Sequence, residues 1–261
     1  VNFRDPAERI ETGRAKQAEI LHGPAAEPAT PYEAAWRDFI FAEVWTRPGL
    51  DVRSRFLISA AGASTADASA QILEGYIKGA LSQQAVSLAE WREAALHFAV
   101  YGGWSRGAIL DAAVTRAAQS LGLAPAAFPA IRGAPWDPAA RMAVGERNFA
   151  EVMTFGGPKA PGTAYTGGGI LNFVFGEMWR RPGLDERARR WLTLVGVSDS
   201  SSETPIKTHV YAAMKSGNAT VDEMNEFVLQ YAVHAGWPRA STIQSAVWEQ
   251  AQRIKDGKPP V

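Results

Sequence analysis

The segment Phe41-Ala42-Glu43-Val44-Trp45-Thr46-Arg47-Pro48-Gly49-Leu50-Asp51 returns 134 positions later as Phe175-Gly176-Glu177-Met178-Trp179-Arg180-Arg181-Pro182-Gly183-Leu184-Asp185. A second motif follows in the same order. Phe98-Ala99-Val100-Tyr101-Gly102-Gly103-Trp104 returns 133 positions on as Tyr231-Ala232-Val233-His234-Ala235-Gly236-Trp237, and the one-residue slip falls after Gly62 and Gly196. Gly13 to Leu21 echoes Gly145 to Met153 more faintly. Two long motifs repeated in order mark a duplicated unit. The expected organisation is two tandem repeats, residues 1–130 and 131–261.

Both copies read as helical. Arg-Pro-Gly-Leu-Asp stops one helix and offers Asp51 or Asp185 as the N-cap of the next. Ser87-x-x-Glu90 and Thr220-x-x-Glu223 are capping boxes. The helices they open space Trp91, Ala94, Ala95 and Phe98, or Met224, Phe227, Val228 and Tyr231, on one face. They end at Gly102-Gly103 and Ala235-Gly236, and Pro238 is expected at the first position of the following helix. No stretch sustains period-2 alternation, so the expected fold is all-α. Pro125 to Pro138 reads as a linker, and the glycine-rich stretch Gly156 to Gly169 as a flexible connection.

Composition narrows the function. Lys and Arg number 27, balanced by 27 Asp and Glu, and this zero net charge argues against a nucleic-acid partner. No apolar run is long enough to span a bilayer, and Val1 to Glu11 is too polar for a signal peptide. The expectation is a soluble, cytoplasmic protein. The absence of Cys removes thiolate nucleophiles, iron–sulfur clusters and dithiol redox chemistry. The four His show no metal-ligand spacing, and no cofactor fingerprint is present.

The polar residues of the repeated helix are the main chemical candidates. Glu93, His97 and Tyr101 lie four apart, as do Glu226, Gln230 and His234, so each set lines one helix face. With Trp104 and Trp237 nearby, such a face could form a desolvated acid–base site. The same spacing equally describes a surface helix carrying a Glu–His pair. His209 lies on another apolar-sided helix, with Tyr76 at the matching place in the first copy. Arg53, Arg55, Arg187, Arg189 and Arg190 could clamp a carboxylate, or pair with Asp51, Asp185 and Glu186.

The pattern Phe-x-Glu-x-Trp-x-Arg-Pro-Gly-Leu-Asp-x-Arg, followed by Glu-x-x-x-His-x-x-x-Tyr-x-Gly in the first copy and by Glu-x-x-x-Gln-x-x-x-His-x-Gly-x-Pro in the second, resembles the γ-carboxymuconolactone decarboxylase family of the alkylhydroperoxidase-like superfamily. The resemblance covers roughly residues 13 to 122 and 145 to 254, so it occurs twice. It implies two tandem helical domains and, because single-domain members form hexameric rings, a homotrimer. The family's helix histidine matches His209, its glutamate Glu93 and Glu226, its next histidine His97 and its tyrosine Tyr101. Gln230 and His234 stand at the last two places in the second copy. The Cys pair of the peroxidase branch would fall at Ser202 and Pro205, or Ser69 and Ile72, so thiol peroxidase activity is excluded.

What the resemblance implies is a cofactor-independent carboxy-lyase of aromatic catabolism acting on a small carboxylated lactone or related acid. In such a substrate the conjugated lactone carbonyl is the electron sink. On this reading His209 donates a hydrogen bond or proton, with Glu226 setting its protonation state, and Arg187 or Arg189 holds a carboxylate. His234 lines the pocket and Trp179 and Trp237 wall it, while Tyr76, Glu93, His97 and Tyr101 complete the binding residues. Two alternatives stay open: a lactone hydrolase or isomerase using a Glu–His pair, and a non-catalytic small-molecule binder.

Overall fold

The computed structural model describes residues 5–66, 68–133, 137–157 and 162–260. Among these the chain is helical, with no strand. The first half runs α1 (Pro6–Leu21), α2 (Pro31–Ala35), a π-helical segment (Trp36–Val44), α3 (Val52–Thr65), α4 (Ala70–Ser82), α5 (Leu88–Gly102) and α6 (Trp104–Ser120). The second half runs α7 (Pro138–Met153), a second π-helical segment (Ala164–Phe175), a 3₁₀ turn (Met178–Arg180), α8 (Glu186–Ser200), α9 (Glu203–Lys215), α10 (Val221–Ala235) and α11 (Trp237–Lys255).

The helix starts follow the local chemistry of the sequence. Asp51 and Asp185 accept from the backbone N–H of Ser54 and Ala188, both at 2.8 Å, satisfying a donor that the first turn leaves free. Ser87 and Thr220 form reciprocal capping boxes with Glu90 and Glu223. Gly103 and Gly236, at φ +98° and +86°, stop α5 and α10. Pro238 sits at the second residue of α11, one place later than expected, because Trp237 opens the helix.

The glycine-rich stretch differs from its expectation as a flexible connection. Residues 158–161 lie outside the described residues, as do residues 134–136 of the expected linker. From Ala164 onward the chain is π-helical, capped by Thr163, whose Oγ1 accepts from Thr166 N at 3.0 Å. The apolar run Ile170 to Phe175 overrides the glycines by burying Leu171 and Phe175. Wide helical turns of this kind are rare and often border functional sites.

The two halves do not pack as separate bodies. Helix α5 lies on α8, α10 lies on α3, and α3 meets α8. Their contact surfaces join in one core containing Phe56, Trp91 and Phe98 from the first half and Trp191, Phe227 and Tyr231 from the second. A smaller cluster (Phe149, Val152, Met153, Leu171, Phe175, Trp179 and Ala212) supports the second π segment. No helix among the described residues is long and apolar enough to cross a membrane.

Candidate active site

The repeated helix carries its polar face into the contact between the halves, so it is not a surface helix. Glu93, on α5, receives Arg181 Nη2 at 2.6 Å and Nε at 2.9 Å, and Arg189 stands 3.9 Å away. On α10, Glu226 receives Arg47 Nη2 at 2.6 Å and Arg55 Nη2 at 3.0 Å. Arg55 also donates to Gln230 at 2.7 Å, and Gln230 donates to Ser59 Oγ at 2.8 Å. The arginine of each Arg-Pro-Gly motif is therefore the counter-charge of the other half's glutamate. Burial pushes the Glu226 carboxyl upward, but its bonds to Arg47 and Arg55 outweigh that and leave it below the usual range.

About two turns further along the same helices, a His and a Tyr from opposite halves meet edge to face. Tyr101 of α5 lies 5.3 Å from His209 of α9, ring to ring, at 84°. At the related place His234 of α10 lies 5.7 Å from Tyr76 of α4 at 89°, with Nε2 3.2 Å from the phenol oxygen. The two pairs have exchanged residue types. Tyr101 Oη accepts from Trp179 Nε1 at 2.7 Å and also bonds with the Thr193 side chain, and its own hydrogen makes it a donor as well. His97 packs 4.9 Å from Trp179 and meets Thr193 Oγ1 at 3.0 Å. Arg189, which can only donate, faces His97 Nδ1 at 3.4 Å; His97 therefore carries its proton on Nε2. Arg190 stacks over Trp179 at 4.7 Å, and its Nη1 finds no partner among the described residues.

Neither Tyr76 nor His234 lines a described pocket, whereas the Tyr101–His209 pair opens onto a cavity. It measures about 860 Å³, within the range of small-ligand sites. Ile170, Phe173 and Val174 of the second π segment form one wall, and Phe149 and Met153 of α7 form another. Trp104 and Tyr165, 62% and 76% exposed, stand at its open side. Its polar groups are Tyr101, His209, Tyr165 and the hydroxyls of Ser200, Ser202, Thr204 and Thr208. Among the described residues no acidic or basic side chain lines it besides the imidazole, and that imidazole is neutral. Burial, helped by the Arg190 charge, lowers the His209 pKa to about 3. Burial likewise pushes the Tyr101 phenol above its ordinary value, with its bond from Trp179 and the Arg190 charge pulling back.

These buried imidazoles set an acid limit on stability. Burial lowers His234 to about 4 as well, and holds His97 well below its ordinary value, aided by Arg189 and Arg190. The folded chain keeps these rings neutral while the unfolded chain protonates them near pH 6.5. Between pH 6.5 and about 4 the unfolded state binds more protons, so stability is lost as pH falls and is fully present above pH 7.5. His209 and His234 are each expected to cost about 2 kcal/mol between pH 7.5 and pH 5. Urea midpoints at the two pH values check this, and His209→Gln should flatten the dependence.

The structure brings together His209, Tyr101, Trp179 and His97, with Arg189 against His97 Nδ1, and separates the other candidates from them. Glu226 belongs to the Arg47–Arg55 pairing and cannot set the protonation of His209 from there. His234 and Tyr76 pair in the related position, against Trp36 at 5.9 Å from His234. Arg187 binds Glu223 at 2.7 Å and Asp51 at 3.1 Å and covers Trp191. Arg189 is buried against the Leu184 and Arg181 carbonyls. Trp237 is half exposed beside Phe39 and walls no described pocket. Among the described residues no group of His, Asp and Glu could hold a metal ion. Sequence reasoning missed Tyr165, Ile170, Phe173 and Thr208; the apolar spacing of residues 170 to 175 was the signal, masked by the glycines before it.

Residues 30–120 match the model of the carboxymuconolactone decarboxylase family. The chain is 32% identical over 72 residues to a 4-carboxymuconolactone decarboxylase of Acinetobacter baylyi, covering 28% of this chain and 53% of that protein. It is 35% identical over 69 residues to the nitrosuccinic acid decarboxylase npaB of Metarhizium robertsii, covering 26% of this chain and 48% of that protein. The chain thus spans about half the length of the curated relatives it matches.

Proposed function

We propose, for a chain whose residues 30–120 match the model of the carboxymuconolactone decarboxylase family, that the Tyr101–His209 cavity decarboxylates a small organic acid without a cofactor. The carrying observation is a cavity whose described lining carries no charged side chain and which ends in two neutral hydrogen-bond donors, Tyr101 and His209, beside the buried Arg190. The substrate class is an acid whose carboxylate sits near a built-in electron sink, as a conjugated lactone carbonyl or a nitro group supplies. The names of both relatives fit that description.

The carboxylate would lie at the first turn of α9, where Ser202 and Thr204 line the cavity and backbone N–H groups favour an anion. Apolar walls around it strip water from the carboxylate, which loses charge as CO2 departs. The electron pair of the breaking C–C bond moves into the sink, and the neutral His209 donates a hydrogen bond to the oxygen that gains charge. Tyr101 O–H returns a proton to carbon, held by the bond from Trp179 and by the Arg190 charge, and is reprotonated from water. The net change is loss of CO2 and gain of one proton. A Glu–His hydrolase draws less support, since arginines hold both Glu93 and Glu226 and no carboxylate lines the cavity.

The test is carboxymuconolactone generated in situ, with CO2 release and lactone absorbance followed together. One CO2 per lactone consumed is the expected result. Lactone loss without CO2 would move the assignment to a hydrolase or isomerase, and no turnover of this or of nitrosuccinic acid would leave a binding role.

A further inference from the structure

We infer that the chain holds a second, sealed copy of its cavity, between the first π segment, α4 and α10, and that the indole of Trp36 is the plug. The Tyr76–His234 pair has the same edge-to-face geometry as Tyr101–His209, yet no cavity adjoins it among the described pockets. The repeat offset of 134 places Trp36 where the open site has Ile170. Ile170 lines the open cavity. Trp36 instead lays its ring 5.9 Å from His234 and 5.6 Å from Phe41, the counterpart of Phe175 in the open site's wall.

A second difference acts in the same direction. Helix α1 seats closely on α4 because α4 offers glycine there: a Cβ at Gly79 would stand 2.0 Å from Ile20 O, and one at Gly75 3.0 Å from Leu21. The counterparts in α9 are Ala212 and Thr208. There α7 meets α9 less extensively, packing on Ala212 through Phe149, Val152 and Met153, and Thr208 faces the open cavity. The chain therefore has one open site and one closed site built from the same parts, and position 36 or 170 decides which is which. Removing the plug leaves a slot for a flat, neutral aromatic ring of indole's size, with His234 and Tyr76 as its polar end.

The experiment is chemical rescue with indole. Trp36→Ala is expected to bind one equivalent of indole more than the unsubstituted chain by calorimetric titration. A crystal structure of that complex should place the ring between His234 and Phe41. Trp36→Ile removes less volume and serves if the alanine variant does not fold; it too should gain an equivalent, more weakly bound. In the converse variant, Ile170→Trp, the new indole should stand against Tyr101 and fill the open cavity. Equal stoichiometry in the folded Trp36 variant, indole found elsewhere, or an unchanged cavity in Ile170→Trp would overturn the inference.

Discussion

His209→Ala is expected to slow decarboxylation roughly 10²–10³-fold in kcat, the usual cost of removing one preorganised donor from a developing oxyanion. Tyr101→Phe should fall in the same range by removing the proton donor while keeping the ring that packs on His209 and Trp179. Because the two act on one bond-breaking event, the double variant should lose far less than the product of the single losses. The matched control is His234→Ala, which deletes an imidazole from the sealed position. Its activity should stay within about threefold of the unsubstituted chain, since additivity holds for sites without shared partners. Equal losses in His209→Ala and His234→Ala would mean that buried imidazoles matter for folding alone.

The pH profile separates this assignment from a histidine acid of ordinary pKa. With His209 neutral down to about 3 and Tyr101 held protonated above its usual range, kcat should be flat from about pH 6 to pH 9. An imidazolium proton donor would instead lose activity as pH rises through 6.5.

Much of the fold was legible because it is written locally. Asp51, Asp185, Ser87 and Thr220 cap the helices as their side chains dictate, and the glycines after α5 and α10 end them. The candidate site was legible only in part. Periodicity places Glu93, His97 and Tyr101 on one face, but it cannot say that this face meets α8 of the other half. The same blindness put Glu226 beside His209: both belong to the second copy in sequence, whereas packing gives Glu226 to Arg47 and Arg55 of the first. Because helices of each half pack against the other, each pair is assembled from both halves, so matching one half's residues to each other fails at distances of more than a hundred residues. The cavity wall was hidden for a different reason. Gly167 to Gly169 carry a strong local loop signal, and the burial of Leu171 and Phe175 outweighs it.

Arg181→Ala is expected to destabilise the chain by about 3–5 kcal/mol, the cost of stranding a buried charge. Glu93 and Arg181 are each 4% exposed, and with Arg181 gone the carboxylate keeps, among the described residues, only Arg189 at 3.9 Å as a counter-charge. The related substitution Arg47→Ala should cost about 1 kcal/mol. Arg47 is 47% exposed, so solvent already screens its charge, and Glu226 would keep Arg55 at 3.0 Å. The same motif residue in the two copies therefore carries unequal weight, for a reason that lies in burial rather than in identity. Guanidinium chloride midpoints with their m-values measure both. Glu93→Leu combined with Arg181→Met should recover much of the loss, because an apolar pair leaves no charge to desolvate. Equal costs for Arg181→Ala and Arg47→Ala would show that the pairs act as fasteners between the halves irrespective of solvent. No recovery in the double variant would mean that Arg181 matters chiefly for its bonds to the Pro129 and Ala130 carbonyls, at 2.7 and 3.1 Å.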